Sequence, residues 1–187
     1  MNQTQQAYFG VVQKCKTLFI RKAQDYGTSW RILRLPSLTD QIYIKAQRIR
    51  SLEETGINKV GDSAQSEYAA IINYCVIALL LLELQAMSDS EKEMYLQTDN
   101  LEAHYDRMIH HTWSILEKKN HDYGEAWRDM RVSSLTDIIL TKLLRLKQIE
   151  DNAGITIASE GPEGSYVDIL NYAVFALIHL QWHQANE

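Results

Sequence analysis

The chain has 187 residues, 45% of them hydrophobic, enough to bury a core in one domain or two small ones. Only eight glycines and two prolines interrupt it, which excludes a turn-rich all-β design. The net charge of −5 excludes general nucleic-acid binding, which needs a broad basic face, but leaves room for a local basic cluster that holds a small anion.

Met1-Asn2-Gln3-Thr4 has neither a basic start nor an apolar stretch, so no signal peptide is expected there. The first helix is predicted over roughly Gln5 to Ala23, with Tyr8, Val11, Val12, Cys15, Leu18 and Phe19 at helical spacing. Gly27 ends it, and an irregular arginine-rich stretch runs to Pro36. Ser37-Leu38-Thr39-Asp40 reads as a helix start, a serine N-cap with an acid three residues on. That second helix should end near Glu54, before a loop from Gly56 to Ser63. The third, Tyr68 to Met87, is apolar nearly all round, as a helix central to a bundle should be. Its apolar run Cys75 to Leu82 is too short to span a bilayer. Ser88 to Asn100 is polar and reads as a linker with a short helical segment.

Then the chain repeats itself. Asp25-Tyr26-Gly27, Trp30 and Arg31 return 97 residues later as Asp122-Tyr123-Gly124, Trp127 and Arg128. Arg34 returns as Arg131, and Ser37-Leu38-Thr39-Asp40 as Ser134-Leu135-Thr136-Asp137. Lys45, Arg48 and Glu53 return as Lys142, Arg145 and Glu150. One inserted residue later, Asn73-Tyr74 matches Asn171-Tyr172. The helices of the second copy are predicted over about Leu101 to Lys119, Ser134 to Asp151 and Tyr166 to His183. The fold expected is all-α, two tandem three-helix repeats about a pseudo-two-fold, residues 1–90 and 91–187, packed as one compact unit.

Chemistry concentrates in the repeated Asp-Tyr-Gly-x-x-Trp-Arg-x-x-Arg stretch. Arg31, Arg34, Lys45 and Arg48 offer four cations beside Trp30, and Arg128, Arg131, Lys142 and Arg145 do so beside Trp127. Forked guanidiniums and ammoniums suit phosphate, and an aromatic face suits a base. Each set is expected to share one cleft. The competing reading pairs these cations with neighbouring acids and puts the tryptophans in the core. Asn73 and Asn171 lie in apolar runs, so each must find partners, as a helix-packing residue or as a ligand contact.

These motifs, Asp-Tyr-Gly-x-x-Trp, the Ser-Leu-Thr-Asp helix, Lys-x-x-Arg and Asn-Tyr, resemble the nucleotide modification associated domain family, type one. The resemblance covers about Gln5 to Met87 and Leu101 to Gln184. It implies a nucleotide ligand, with Asp25, Tyr26, Asp122 and Tyr123 joining the basic, aromatic and asparagine residues above as contacts. The layout is similar, more remotely, to the MazG-like all-α nucleoside triphosphate pyrophosphatases, which hold magnesium on two pairs of carboxylates. Asp168, Tyr172, Glu67 and Tyr74 match parts of the second pair's motif. At the first pair's positions stand Lys45 and Arg48, or Lys142 and Arg145, and a cation cannot ligate magnesium. Glu67, Glu163, Asp168 and Asp62 are the acids left for a metal, and Asp168 is expected to pair with Lys142 or Arg145 instead.

No cofactor is therefore expected, magnesium entering only if the chain is an enzyme. Asp40 and Asp137 read as caps rather than catalytic acids. His179 and His183 have metal-compatible spacing without a third ligand, and read as an exposed helix end. Cys15 and Cys75 read as reduced core thiols, and the protein as cytoplasmic, with no membrane partner. Three functions compete: a nucleotide-modifying or hydrolysing protein, a non-catalytic nucleotide-binding module, and a structural module for homo-oligomerisation.

Overall fold

A computed structural model of the chain describes residues 2–59, 61–85, 87–95, 100–155 and 161–181. Among them the regular secondary structure is helical throughout: α1 (Gln3–Tyr26), α2 (Leu35–Thr55), α3 (Ala64–Leu84), α4 (Asp89–Tyr95), α5 (Leu101–Tyr123), α6 (Val132–Asp151) and α7 (Pro162–His179). One-turn 3-10 segments, Ser29–Ile32 and Ala126–Asp129, precede α2 and α6.

The helices arise from ordinary local causes. Asn2 caps α1 by accepting the Gln5 amide at 2.8 Å, and Tyr8, Val11, Val12, Cys15, Phe19 and Ala23 form its buried stripe. Ser63 caps α3 in the same way through the Ser66 amide at 3.1 Å. Pro162 opens α7, where its missing N–H costs nothing. By length and composition α3 could cross a membrane, but 72% of its apolar window is buried inside the fold.

Four helices make the centre: α3 packs on α7, α2 on α6, α2 on α3 and α6 on α7. Helices α1 and α5 each lie against both α3 and α7, so neither repeat closes its core without the other. The polar contacts are reciprocal too. Thr136 Oγ1 donates to Glu53 Oε1 (2.8 Å) and lies 2.6 Å from the Tyr68 hydroxyl. Thr39 Oγ1 donates to Glu150 Oε1 (2.7 Å) and lies 2.8 Å from the Tyr166 hydroxyl. A hydroxyl has one proton, so each threonine that donates to its glutamate must accept from the tyrosine. Tyr105 donates to Asn73 Oδ1 and Tyr8 to Asn171 Oδ1, both at 2.9 Å. The repeated threonine, glutamate, tyrosine and asparagine thus join one repeat to the other.

The Ser37 and Ser134 capping boxes do not form. Helix α2 starts at Leu35 and α6 at Val132, with Arg34 and Arg131 as N-caps that make no side-chain capping bond. Each helix starts three residues earlier, cap for cap, and Thr39 and Thr136 are fully buried. Asp40 and Asp137 stay outside, paired with Lys147 (2.5 Å) and Arg50 (3.7 Å) of the other repeat. Helices α1 and α5 run on through the Asp-Tyr of the motif, and α7 begins four residues before Tyr166. His179 is partly buried, its Nε2 3.1 Å from the Trp127 carbonyl, rather than at an exposed helix end. His183 lies outside the described residues.

Candidate functional site

In the first repeat the end of α1, the 3-10 turn, α2 and α3 enclose a cleft of about 660 Å³. Gly27 makes it: with φ 64° and ψ −151° it turns the chain sharply off α1 and swings Trp30 back against Phe19, Leu33 and the helix faces. Tyr26, Trp30 and Tyr74 supply its aromatic surface, and Lys22 and Lys45 its cations. Tyr26 is 55% exposed and Trp30 8%, so the tyrosine stands at the mouth and the indole in the wall. Partial burial, then the nearby Tyr74 and Asp25, push the Tyr26 phenol above its ordinary value.

Glu67 sits in the cleft wall, only 3% exposed. Lys45 Nζ holds one of its oxygens at 2.8 Å and Arg48 holds the other at 3.1 Å. Arg48 also reaches Asp62 at 3.4 Å. Pairing of this kind offsets the cost of burying a carboxylate. Lys22 makes no ion pair among the described residues and faces the cleft.

The expectation that four cations share one cleft is corrected. Arg31 and Arg34 line a second cleft, about 1000 Å³, together with the C-terminal ends of α3 and α6 and with Asp89, Lys92 and Glu93. The reason is the 3-10 turn: it puts Trp30 inward and so sends Arg31 and Arg34, both exposed, to the other side. Asp25 is exposed at the end of α1.

The second repeat keeps the residue types and changes their partners. Asp168 accepts from Lys142 at 2.5 Å and from Lys119 at 2.7 Å. Burial raises its carboxyl, but the two lysines outweigh burial and hold it below the usual carboxylate range. Arg145, the alternative partner, is exposed and makes no ion pair among the described residues. Arg128 is bound to Glu125 (2.7 Å) and donates to Thr4 Oγ1, with its guanidinium 4.7 Å from the Trp127 ring centroid. Trp127 stacks on Phe175 at 4.2 Å and 3°. Arg131, Asp122 and Tyr123 are exposed, and Asp122 lies 3.2 Å from His121. The indole nitrogens of Trp30 and Trp127 are both buried without an acceptor.

Both asparagines make packing hydrogen bonds: Asn73 donates to the Cys15 carbonyl (3.1 Å) and accepts from Tyr105, while also lining the first cleft, and Asn171 accepts from Tyr8. The possible metal ligands are scattered. Glu67 and Asp168 are tied up by cations, and Glu163 faces His111 at 2.9 Å beside a different groove. Among the described residues no three of His, Cys, Asp or Glu come together as a metal would need. Magnesium, which demands several oxygen ligands, does not fit carboxylates whose oxygens already accept from lysine and arginine.

Sequence reasoning missed Lys22 and Lys119, although they recur at the same offset of 97, and a cluster that ties down the linker. There Tyr95 of α4 and Arg107 of α5 both donate to Glu83 of α3, and His104 stacks on Tyr95 at 3.7 Å. This cluster has no counterpart in the other repeat, so no repeat signal could mark it.

The family model described as nucleotide modification associated domain 1 matches residues 22–82 and again residues 119–180. No curated protein and no solved structure matches the chain.

Proposed function

The chain belongs to the nucleotide modification associated domain 1 family, and from that membership we propose that it binds a nucleotide or another phosphorylated ligand through its aromatic and basic side chains. The observation that carries this reading is the cleft of the first repeat, where Tyr26, Trp30 and Tyr74 stand beside Lys22 and Lys45. Aromatic surface accepts a base by stacking, and ammonium groups accept a phosphate as point charges. Arg31 and Arg34 form a separate basic edge on the second cleft.

The binding module is favoured over a MazG-like metal-dependent pyrophosphohydrolase because Glu67 and Asp168 are already neutralised by Lys45, Arg48, Lys119 and Lys142. Two buried free thiols, Cys15 and Cys75, support a reducing, cytoplasmic setting.

Thermal melting over nucleoside mono-, di- and triphosphates, with and without magnesium, tests the reading. A ligand at a hundred times its Kd stabilises the native state by about 2.7 kcal/mol. For a chain of this size that raises Tm by roughly 5–10 °C. No shift with any nucleotide would refute nucleotide binding and favour the structural, oligomerising module. Magnesium-dependent release of pyrophosphate from a triphosphate, lost in Asp168→Ala without loss of fold, would restore the enzyme.

A further inference from the structure

Resting on that reading, we infer that among the described residues the ligand cleft is the one in the first repeat, that it takes a nucleoside monophosphate, and that the described side chains of the second repeat stopper the matching place. Three substitutions between the repeats act in the same direction. Where the first repeat has Ala70 in the cleft wall, the second has Asp168. Lys119, the counterpart of Lys22, therefore reaches from α5 to α7 and latches the two helices at 2.7 Å, with Lys142 closing from α6 at 2.5 Å. Lys22 meets an alanine instead and stays turned to the cleft.

Where the first repeat has Ile77 lining the cleft, the second has Phe175, whose ring lies flat on Trp127. That is the position a stacking base would take. Where the first repeat has Thr28, the second has Glu125, which holds Arg128 over the indole. Trp30 is nearly as buried (8% exposed against 6% for Trp127) but carries no stacked ring: its one ring neighbour among the described residues is Phe19 at 6.4 Å, tilted by 37°.

Charge selects the phosphate count. At the first cleft Lys45 and Arg48 are taken up by Glu67 and Asp62, which leaves Lys22 as the lining cation that makes no ion pair among the described residues. A phosphate monoester carries about 1.5 to 2 negative charges at pH 7, which Lys22 offsets in part. A triphosphate brings roughly twice that charge into a wall that is mostly apolar, with nothing to offset it.

Isothermal titration calorimetry of the whole chain with AMP, GMP, CMP and UMP, their triphosphates and inorganic phosphate tests this. The expected result is one monophosphate per chain, with the matching triphosphate at least tenfold weaker. Lys22→Met and Ala70→Asp should each weaken binding at least tenfold, while Lys119→Met stays within twofold of the parent. Melting curves check that each variant folds, and if Ala70→Asp does not, Lys22→Met decides. Two equivalents bound, equal or tighter triphosphate binding, or Lys119→Met as damaging as Lys22→Met would each overturn the single-cleft proposal while nucleotide binding stands. No binding by any nucleotide removes both.

Discussion

Thr136→Val isolates one of the reciprocal bonds between the repeats. Valine has nearly the shape of threonine, so the buried site is not emptied, and only the hydroxyl is lost. That hydroxyl donates to Glu53 at 2.8 Å and accepts from Tyr68 at 2.6 Å in a position with no solvent exposure. A buried neutral hydrogen bond contributes about 1 kcal/mol and one to a charged group about 1.5–3 kcal/mol. Glu53 is exposed to water, which screens the charged bond, so the lower part of the range applies, and the expected loss is about 1–2 kcal/mol. Tm should fall by roughly 2–8 °C. The effect must also depend on pH. Burial raises the Glu53 carboxyl above its ordinary value, and the Thr136 and Tyr68 hydrogen bonds pull it part of the way back. The hydroxyl therefore stabilises the ionised form, so its contribution is full at neutral pH and shrinks as acid protonates Glu53. Urea unfolding at pH 7 and at about pH 4.5, with the m value checked for change, measures both. A loss under about 0.5 kcal/mol, or the same loss at both pH values, would refute the claim that this triad joins the repeats.

Thr39→Val should cost about the same, and the double variant should cost the sum within about 0.5 kcal/mol if the two triads act independently. Asp168→Ala should cost about 1–3 kcal/mol at pH 7, because it leaves Lys119 and Lys142 facing each other without a carboxylate. Since that carboxyl is held below its ordinary value, its stabilisation is present above about pH 4 and is lost as pH falls through the folded-state value, which stability curves of both proteins against pH will show. A chain divided between Tyr95 and Asn100 should give halves without fixed tertiary structure by near-ultraviolet circular dichroism, and mixing them should restore it; two halves each folded alone would contradict the shared core. Gly27→Asn should be more damaging than Gly124→Asn, about 2–3 against about 1 kcal/mol in thermal unfolding. Neither Cβ would meet another atom within 4 Å, so the difference is torsional.

Those two glycines mark the boundary between what the residues reveal and what packing decides. In the sequence they occupy one motif and look equivalent. In the fold Gly124 takes the left-handed helical conformation (φ 61°, ψ 33°) that asparagine can share, whereas Gly27 sits at φ 64°, ψ −151°, which only glycine tolerates. The all-helical class and the two copies were legible because both are local properties. Apolar spacing along one helix names its buried face, and an offset of 97 survives in the letters themselves. Helix starts were less legible. Serine and aspartate at capping distance look alike whether the helix begins there or three residues earlier, and the burial of Thr39 and Thr136 against the other repeat goes with the earlier start.

The composition of the cleft was only partly legible. Tyr26, Trp30 and Lys45 stood out by their residue types, but the separation of Arg31 and Arg34 from Lys45 follows from the direction of a one-turn 3-10 segment. The tying of Asn73 to Tyr105, Glu67 to Arg48 and Asp168 to Lys119 was beyond sequence alone. By itself the sequence determined which side chains could bind an anion. Which of them are free to do so depended on partners far away in the chain, because a charge pairs with what lies near it in space.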